Sequence, residues 1–158
     1  MSMKRRMHNL NQHGFTLVEL VMVIVMIGIL AAMAVPSWSV GDTTVHAQAG
    51  QISHDIRHTQ MLAMTQGRTL TFQSTGGGYR CVDSTNAVIT DPATQRPFNF
   101  ALDDGVTLSS GNISFDSLGR PVSGGAPLAS ATSFTASGDY QTAALSVAQI
   151  TGFVTVTP

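Results

Sequence analysis

Cysteine and lysine are almost missing from this chain, and each scarcity excludes a class of protein. Cys81 is the single cysteine, so no intramolecular disulfide can form, and a lone cysteine in a predicted strand is typically a buried small side chain. Lys4 is the single lysine, and it lies beside Arg5 and Arg6 near the N-terminus. Without these three cations the chain has five arginines against nine acidic groups, a formal charge of −4, which argues against nucleic-acid binding.

Catalytic motifs are also missing. The sequence contains no G-x-S-x-G nucleophile motif and no phosphate-binding P-loop. His54 and His58, with Asp55 between them, are spaced like the histidines of zinc hydrolases, but no third ligand follows. On a helical wheel both histidines fall opposite Ile52 and Ile56, toward solvent. We therefore predict no enzymatic activity, no metal site and no cofactor.

Polar side chains are absent from residues 20–35, a run of sixteen. As a helix, the 21 residues of the segment 15–35 would measure about 31 Å, close to the ~30 Å hydrocarbon core of a bilayer. Cations precede this segment, so the positive-inside rule predicts a cytoplasmic N-terminus and an extracytoplasmic C-terminal part. Two other interpretations fit such a segment: a cleavable secretory signal with Ala-Met-Ala at residues 32–34 as its cleavage site, and a plain membrane anchor.

A carboxylate interrupts the apolar segment at Glu19, the only glutamate in the chain, and a charge so close to hydrocarbon needs a partner. The hexapeptide GFTLVE at 14–19, followed by an apolar helix and Pro36, closely resembles the class III signal of type IV pilins and type II secretion pseudopilins. The resemblance implies that a prepilin peptidase cuts between Gly14 and Phe15 and that Phe15 becomes N-methylphenylalanine. It also implies that Glu19 pairs with the α-amino group of a neighbouring subunit and sets the register of a filament.

A second helical segment is predicted after Pro36, where Pro36 and Gly41 should kink or locally melt the helix. From the capping candidates Thr43 and Thr44 to about Gln66, the sequence becomes amphipathic. The apolar positions fall on one stripe that should pack on a sheet: Val45, Ala49, Ile52, Ile56 and Ala63.

Short strands are predicted for the rest of the chain. Residues 68–73 and 79–83 flank three glycines and predict a hairpin. Residues 84–97 are predicted to be mostly irregular, apart from a short strand at 88–89, and residues 116–132 to form a turn and a glycine-rich loop. Further strands are predicted at 98–101, 106–109, 113–115, 133–136, 143–148 and 153–157.

These elements predict an α+β fold, in which a long N-terminal helix packs on a small antiparallel β-rich head. Four parts are expected: a leader at 1–14, a membrane-spanning or filament-core helix at 15–36, its amphipathic continuation at 37–66, and the head at 67–158. The leader and the filament-core role follow from the resemblance alone.

Two C-terminal motifs narrow the resemblance to the GspH/FimT group of pilin-like proteins. Residues 115–120 (FDSLGR), with Gly119 and Arg120, are similar to the group's Phe-x-x-x-Gly-Arg segment. Residues 151–156 (TGFVTV), with Gly152, are similar to its Thr-Gly-x-Val-x-Val ending. Both also have a structural interpretation, as a glycine turn and a final strand. The arginine-rich motif of DNA-binding members is missing.

The resemblance implies a minor pilin or pseudopilin subunit of a type IV pilus or a type II secretion filament. The subunit would lie first in the bacterial inner membrane with a periplasmic head, and later in a filament. Its partners would be the prepilin peptidase, other pilin or pseudopilin subunits and membrane lipid, but not nucleic acid. A tip-located adhesive or DNA-binding minor pilin is the alternative, with the Ser- and Thr-rich loops 84–97 and 121–133 as recognition surfaces. The filament system and the position in the filament stay open.

Overall fold

A computed structural model of the protein describes residues 16–33, 40–103 and 105–158. The predicted processing residues Gly14 and Phe15 and the predicted kink at Pro36 lie outside the described residues. The chain divides into two compact units, with the boundary between residues 38 and 39. The first unit contains helix α1, and the second is the head, which contains helix α2 and the strands.

Helix α1 (Leu17–Met33) begins at a polar cap. The Glu19 amide donates a hydrogen bond to Thr16 Oγ1 at 3.2 Å, so Thr16 is the N-cap residue. Glu19 is the third helical residue, where a carboxylate is favourable because the free amides of the first turn carry partial positive charge. The large apolar side chains from Leu17 to Leu30 are 46–78% exposed within this chain. In the ranges given above, the structure contains no helix that is long and apolar enough to span a bilayer.

Helix α2 (Val40–Gln66) begins before the predicted capping threonines and ends at a glycine. Gly67 has a φ of 63°, its amide donates to the Met64 carbonyl at 3.3 Å, and the Arg68 amide donates to the Ala63 carbonyl at 3.2 Å. This is a Schellman cap, in which glycine adopts positive φ without Cβ strain. The predicted apolar stripe faces the core and is at most 1% exposed: Val45, Ala49, Ile52, Ile56 and Ala63.

Strands make up the rest of the described head. They are β1 (Leu70–Ser74), β2 (Gly78–Val82), β3 (Asn99–Ala101), β4 (Thr107–Leu108), β5 (Asn112–Phe115), β6 (Pro121–Ser123), β7 (Ala126–Pro127), β8 (Thr132–Ser137), β9 (Thr142–Val147) and β10 (Val154–Thr157). They form a six-stranded sheet in the order β3-β2-β1-β5-β6-β7 and a four-stranded sheet in the order β10-β9-β8-β4. All pairs are antiparallel, and the predicted hairpin is β1–β2, with Phe72 opposite Cys81. The α+β prediction, a helix on an antiparallel head, is confirmed.

A hairpin lies where the sequence analysis predicted a glycine-rich loop. Strands β6 and β7 pair with Ser123 opposite Ala126, and Gly124 and Gly125 between them have φ values of 59° and 85°. A two-residue turn with positive φ at both positions matches the twist of the strands, and glycine adopts it readily. The strand predicted at residues 88–89 is only an isolated bridge from Val88 to Val82.

The core lies between helix α2 and the sheets. Phe72 of one sheet and Phe134 of the other meet edge to face, with ring centroids 5.6 Å apart, and both are 0% exposed. Burying one such side chain stabilises the fold by roughly 1.5–3 kcal/mol. Cys81 is also 0% exposed, which confirms the predicted buried cysteine, and burial raises the pKa of its thiol to about 11. The thiol therefore stays protonated and unreactive at neutral pH.

Candidate assembly surface and pocket of the head

The predicted residues Gly119 and Arg120 lie in a turn that Asp116 closes. Asp116 Oδ1 accepts hydrogen bonds from the amides of Leu118 and Arg120, each at 2.9 Å, and Oδ2 accepts one from Arg120 Nε at 2.8 Å. Desolvation opposes ionisation, but these hydrogen bonds outweigh it and hold the pKa of Asp116 below its usual range. Gly119 has a φ of 77°, and a Cβ there would lie 2.6 Å from Met64 Sδ. The positive φ favours glycine, whereas the flexible Met64 side chain, 47% exposed, can shift to make room.

Gly152 lies in a second turn, with a φ of 69° and an amide that donates to the Ala148 carbonyl at 2.9 Å. A Cβ at this position would lie 2.7 Å from Gln60 Nε2 and 2.9 Å from Phe115 Cε1. Phe115 is 0% exposed, so its ring cannot move aside without disturbing the core. This turn can therefore approach helix α2 closely only because Gly152 has no side chain.

Gln60 of helix α2 connects the two turns. Its Nε2 donates to the Gly119 carbonyl at 2.7 Å and to the Thr151 carbonyl at 2.9 Å. A side-chain amide carries two N–H donors, so both bonds form at once. The two C-terminal motifs, distant in sequence, meet at this one side chain. Sequence reasoning missed Gln60, and no local pattern marks it.

Arg57 precedes Gln60 by one helical turn and holds the last strand. Its Nη2 donates to the Val154 carbonyl at 2.6 Å, and its guanidinium carbon lies 5.3 Å from the centroid of the Phe153 ring. The first contact is a charge-assisted hydrogen bond and the second a cation–π contact. Together they fix strand β10 against helix α2.

Exposed apolar side chains border these contacts. Leu118 and Ile150 lie in or next to the two turns. Met61 and Met64 follow Gln60 on helix α2, and the Phe153 ring contacts Arg57. Their exposed fractions are 48% for Met61, 47% for Met64, 68% for Leu118, 74% for Ile150 and 59% for Phe153. We call these five residues the motif patch. Exposed apolar side chains on a folded head are candidates for contact with another protein.

A buried carboxylate, Asp55, lies between helix α2 and strand β2. The residue is 4% exposed, the Tyr79 hydroxyl donates to its Oδ2 at 2.6 Å, and Gln51 Nε2 donates to its two oxygens at 3.1 and 3.2 Å. Burial, reinforced by the Asp55 carboxylate, raises the pKa of Tyr79 far above its usual range, so the phenol stays a donor. Sequence reasoning treated Asp55 only as the middle of a His-Asp-x-x-His pattern and missed this pair.

The two histidines of helix α2 have different environments. His54 faces solvent as predicted, with 74% of its side chain exposed. The same prediction is wrong for His58, whose side chain is 18% exposed, whose Nε2 lies 3.4 Å from Asp91 Oδ1, and whose ring stacks on Phe98 at 5.6 Å. The segment after strand β2 folds over the helix and covers it. Within the described ranges, no three histidine, cysteine or acidic side chains cluster as metal ligands would.

Asp91 closes a turn under His58. Its Oδ1 accepts from the Ala93 amide at 3.0 Å and its Oδ2 from the Thr94 hydroxyl at 3.0 Å. The Ala93 amide is the largest of the contacts that lower the pKa of Asp91, and Thr94 and His58 add to it against the effect of desolvation. The turn is therefore held by an ionised carboxylate at neutral pH.

A surface pocket of about 520 Å³ lies beside this turn. Phe98 and Phe100, which share one face of their strand, meet there edge to face at 5.3 Å. The full lining is Asp91, Thr94, Arg96, Pro97, Phe98, Asn99 and Phe100. In the sequence, the Phe-x-Phe spacing at residues 98–100 is the signal that could have indicated this aromatic pair.

Glu19 is the predicted site residue that the structure describes in helix α1. Its amide is used by the cap, whereas its carboxylate makes no polar contact within the part of the chain that the structure describes.

The comparisons with known proteins divide between the two ends of the chain. Residues 9–35 match the model of the prokaryotic N-terminal methylation motif. No curated protein matches the chain. Two crystal forms of the type IV minor pilin FimU from Pseudomonas aeruginosa are similar in structure. The P21 form has a TM-score of 0.56 and is 16% identical, and the match covers 74% of this chain and 90% of the FimU chain. The P65 form has a TM-score of 0.52 and is 17% identical, and the match covers 72% of this chain and 92% of the FimU chain.

At 16–17% identity, the similarity to FimU shows the fold alone. The N-terminal methylation motif is a separate observation, made on the sequence of residues 9–35. Pilin-type motif and fold are those of structural, non-enzymatic subunits. The N-terminal methylation motif and a fold similar to that of a minor pilin together support a type IV pilin-like protein.

Proposed function

We propose that the protein is a minor pilin or pseudopilin subunit of a type IV pilus or type II secretion filament. The observation that carries this proposal is the methylation motif at residues 9–35, joined in one chain to a head with the fold of a minor pilin. The motif provides for processing and membrane anchoring, and the head provides lateral or tip contacts.

Processing would produce the partner that Glu19 needs. Cleavage between Gly14 and Phe15 exposes a new α-amino group, and methylation of Phe15 leaves it cationic. The Glu19 carboxylate lies in the first turn of helix α1, with no polar contact in the described chain. A cation from the next subunit would relieve this charge in apolar surroundings and fix the axial register.

The exposed apolar surface of helix α1 supports a role in packing. Its large apolar side chains are 46–78% exposed in the single chain. Such a surface is unfavourable in water and is covered either by lipid or by the helices of other subunits. We propose inner-membrane lipid before assembly and neighbouring helices afterwards.

The motif patch is the corresponding surface on the head. The glycines of both C-terminal motifs lie where the two turns meet helix α2, and Gln60 bonds the carbonyls of Gly119 and Thr151, which adjoin Leu118 and Ile150 in sequence. We propose that Gly119, Arg120 and Gly152 shape a surface for a neighbouring head and make no direct contact with a ligand.

Intact mass and N-terminal sequence, measured in hosts with and without a prepilin peptidase, test the proposal. We expect a chain that begins with methylated Phe15 only when the peptidase is present, and no processing of a Gly14→Val variant. A chain that begins at Val35, or one processed equally in both hosts, would indicate a secretory signal and overturn the proposal.

A further inference from the structure

Two charged side chains of the head have no polar partner. Among the side chains that the structure describes from residue 44 onward, Arg96 and Asp139 are the arginine and the aspartate that make neither a hydrogen bond nor an ion pair. All the others are engaged: Arg57, Arg68, Arg80 and Arg120, and Asp55, Asp83, Asp91, Asp103 and Asp116. Within the described part of the head, one free cation and one free anion therefore remain on the surface.

Arg96 lies at the rim of the pocket beside Asp91. Phe98 is 2% exposed and forms the floor, whereas Phe100 is 44% exposed and forms a wall. Phe100 is held in place, because its ring contacts Phe98 at 5.3 Å and Tyr79 at 5.5 Å. The Asp91 carboxylate is occupied by its own turn. The pocket thus offers a rigid aromatic wall next to a free guanidinium, a combination suited to an aromatic group with an adjacent anion.

Asp139 lies at the tip of the hairpin that joins strands β8 and β9. The Gly138 amide donates to the Gln141 carbonyl at 2.9 Å and closes the tip. The next residue, Tyr140, is 81% exposed, although a tyrosine has a large apolar ring. The tip therefore presents an aromatic ring and a free carboxylate in consecutive positions.

The tip and the pocket lie at different levels of helix α2. His46 Nε2 contacts Gln141 Oε1 at 2.8 Å, which places the tip near residue 46, and His58 stacks on Phe98, which places the pocket floor near residue 58. Twelve helical residues correspond to a rise of about 18 Å. One copy can therefore offer its tip to one neighbour and its pocket to another.

We propose that the hairpin tip of one copy docks into the pocket of a second copy. The Tyr140 ring packs against Phe100, and the Asp139 carboxylate pairs with the Arg96 guanidinium. The contact is heterologous, because it joins different surfaces of the two copies, and it does not form a symmetric dimer. This inference rests on the proposed filament function, in which the heads of neighbouring subunits lie side by side.

Cross-linking of the full chain in membranes tests the contact. Asn99→Cys at the pocket and Gln141→Cys at the tip are placed on two differently tagged copies, and a mild oxidant joins neighbouring thiols. The native Cys81 is buried and contributes no background. Ser84→Cys, at an exposed position outside the pocket, replaces Asn99→Cys in the matched control pair. We expect the pocket and tip pair to cross-link at least about fivefold more than the control pair.

Exchanging the charges of Arg96 and Asp139, in the chains that carry Asn99→Cys and Gln141→Cys, tests the ion pair. Arg96→Glu alone should lower the cross-linking yield about fivefold, as should Asp139→Arg alone, and both together should restore it. Equal yields from the pocket and control pairs, a double variant that stays low, or cross-linking of Asn99→Cys to a different protein would each overturn the proposal. Processing at Phe15 is measured on the same samples. Normal processing without the cross-link refutes the contact alone, and the cross-link without processing refutes the filament function alone.

Discussion

The Tyr79 hydroxyl donates a hydrogen bond of 2.6 Å to Asp55 Oδ2 and joins strand β2 to helix α2 inside the head. Both residues are buried, at 2% and 4% exposure, so water cannot replace the bond. Gln51 and the His54 ring provide further contacts to the same carboxyl group, so its buried oxygens have polar partners.

Removing this hydroxyl should destabilise the head. We expect Tyr79→Phe to lower the free energy of unfolding by about 1–3 kcal/mol, because it leaves one carboxylate oxygen of Asp55 less satisfied while the ring stays in place. Tyr140→Phe is the matched control, since Tyr140 is 81% exposed, and should change stability by less than about 0.5 kcal/mol. Urea unfolding of both variants, followed by circular dichroism, measures the difference. Equal effects would contradict the structural role of the Tyr79 bond.

Gln60 should matter through its donor hydrogens. Gln60→Ala removes two hydrogen bonds and should cost about 1–2 kcal/mol of stability. Gln60→Glu keeps the shape but turns a carboxylate toward the carbonyls of Gly119 and Thr151, so we expect a larger loss than for alanine. Hydrogen exchange of the amides in the turns at 116–120 and 148–152 reports the effect locally. If glutamate were tolerated better than alanine, the two-carbonyl bridge would be wrong.

Alanine substitutions at Gly152 and Gly50 should change the stability of the head in opposite directions. Gly152→Ala combines a positive φ with a contact of 2.9 Å to Phe115 and should destabilise the head by more than about 1 kcal/mol. Gly50 lies inside helix α2 with open space around it, so Gly50→Ala should stabilise the head by about 0.5–1 kcal/mol. Thermal unfolding of both variants measures the two shifts. A neutral Gly152→Ala would mean that this turn can move away from helix α2.

Acid should weaken the turn at Asp91. The folded pKa of Asp91 lies below the usual 3.8, so the carboxylate contributes stability above the unfolded pKa, and this contribution is lost as the pH falls through the folded pKa. Asp91→Asn should therefore be less stable than the wild type at neutral pH, with a difference that shrinks toward about pH 2. Urea midpoints measured between about pH 6 and pH 2 give both curves. Parallel curves would show that Asp91 titrates alike in both states.

Glu19 should affect assembly without affecting insertion. Glu19→Ala removes the carboxylate, so we expect a normal amount of protein in the membrane fraction but reduced incorporation into filaments. Val18→Ala, a substitution at the neighbouring exposed position, is the control for altered helix packing. Immunoblots of membrane and sheared filament fractions measure the partition. Normal incorporation of Glu19→Ala would remove this account of the residue.

The elements that the sequence predicted correctly depend on local or periodic patterns. The stripe from Val45 to Ala63 repeats with the helical period, and its burial follows from that period alone. The hairpin β1–β2 follows from alternation around three glycines. The hairpin β6–β7 was missed although Gly124 and Gly125 carried the signal, because the flanking strands are only two and three residues long.

The functional contacts of the head depend instead on residues that are distant in sequence. Gln60 bonds carbonyl groups of two turns, Asp55 meets a tyrosine of strand β2, and His58 is covered by Asp91 and Phe98. None of these partners follows from spacing along the chain. A helical wheel places His58 on the polar face, but it cannot show that a later segment folds over that face.

Each of the two open sheets has two edge strands, and these four strands are short. Strands β3, β4 and β7 have three, two and two residues, too few to template a long intermolecular ladder. Strand β10 has four residues, and Arg57 already occupies the carbonyl of its first residue, Val154. Heads packed at high local density can therefore touch through side chains while their backbones resist strand exchange and amyloid-type aggregation.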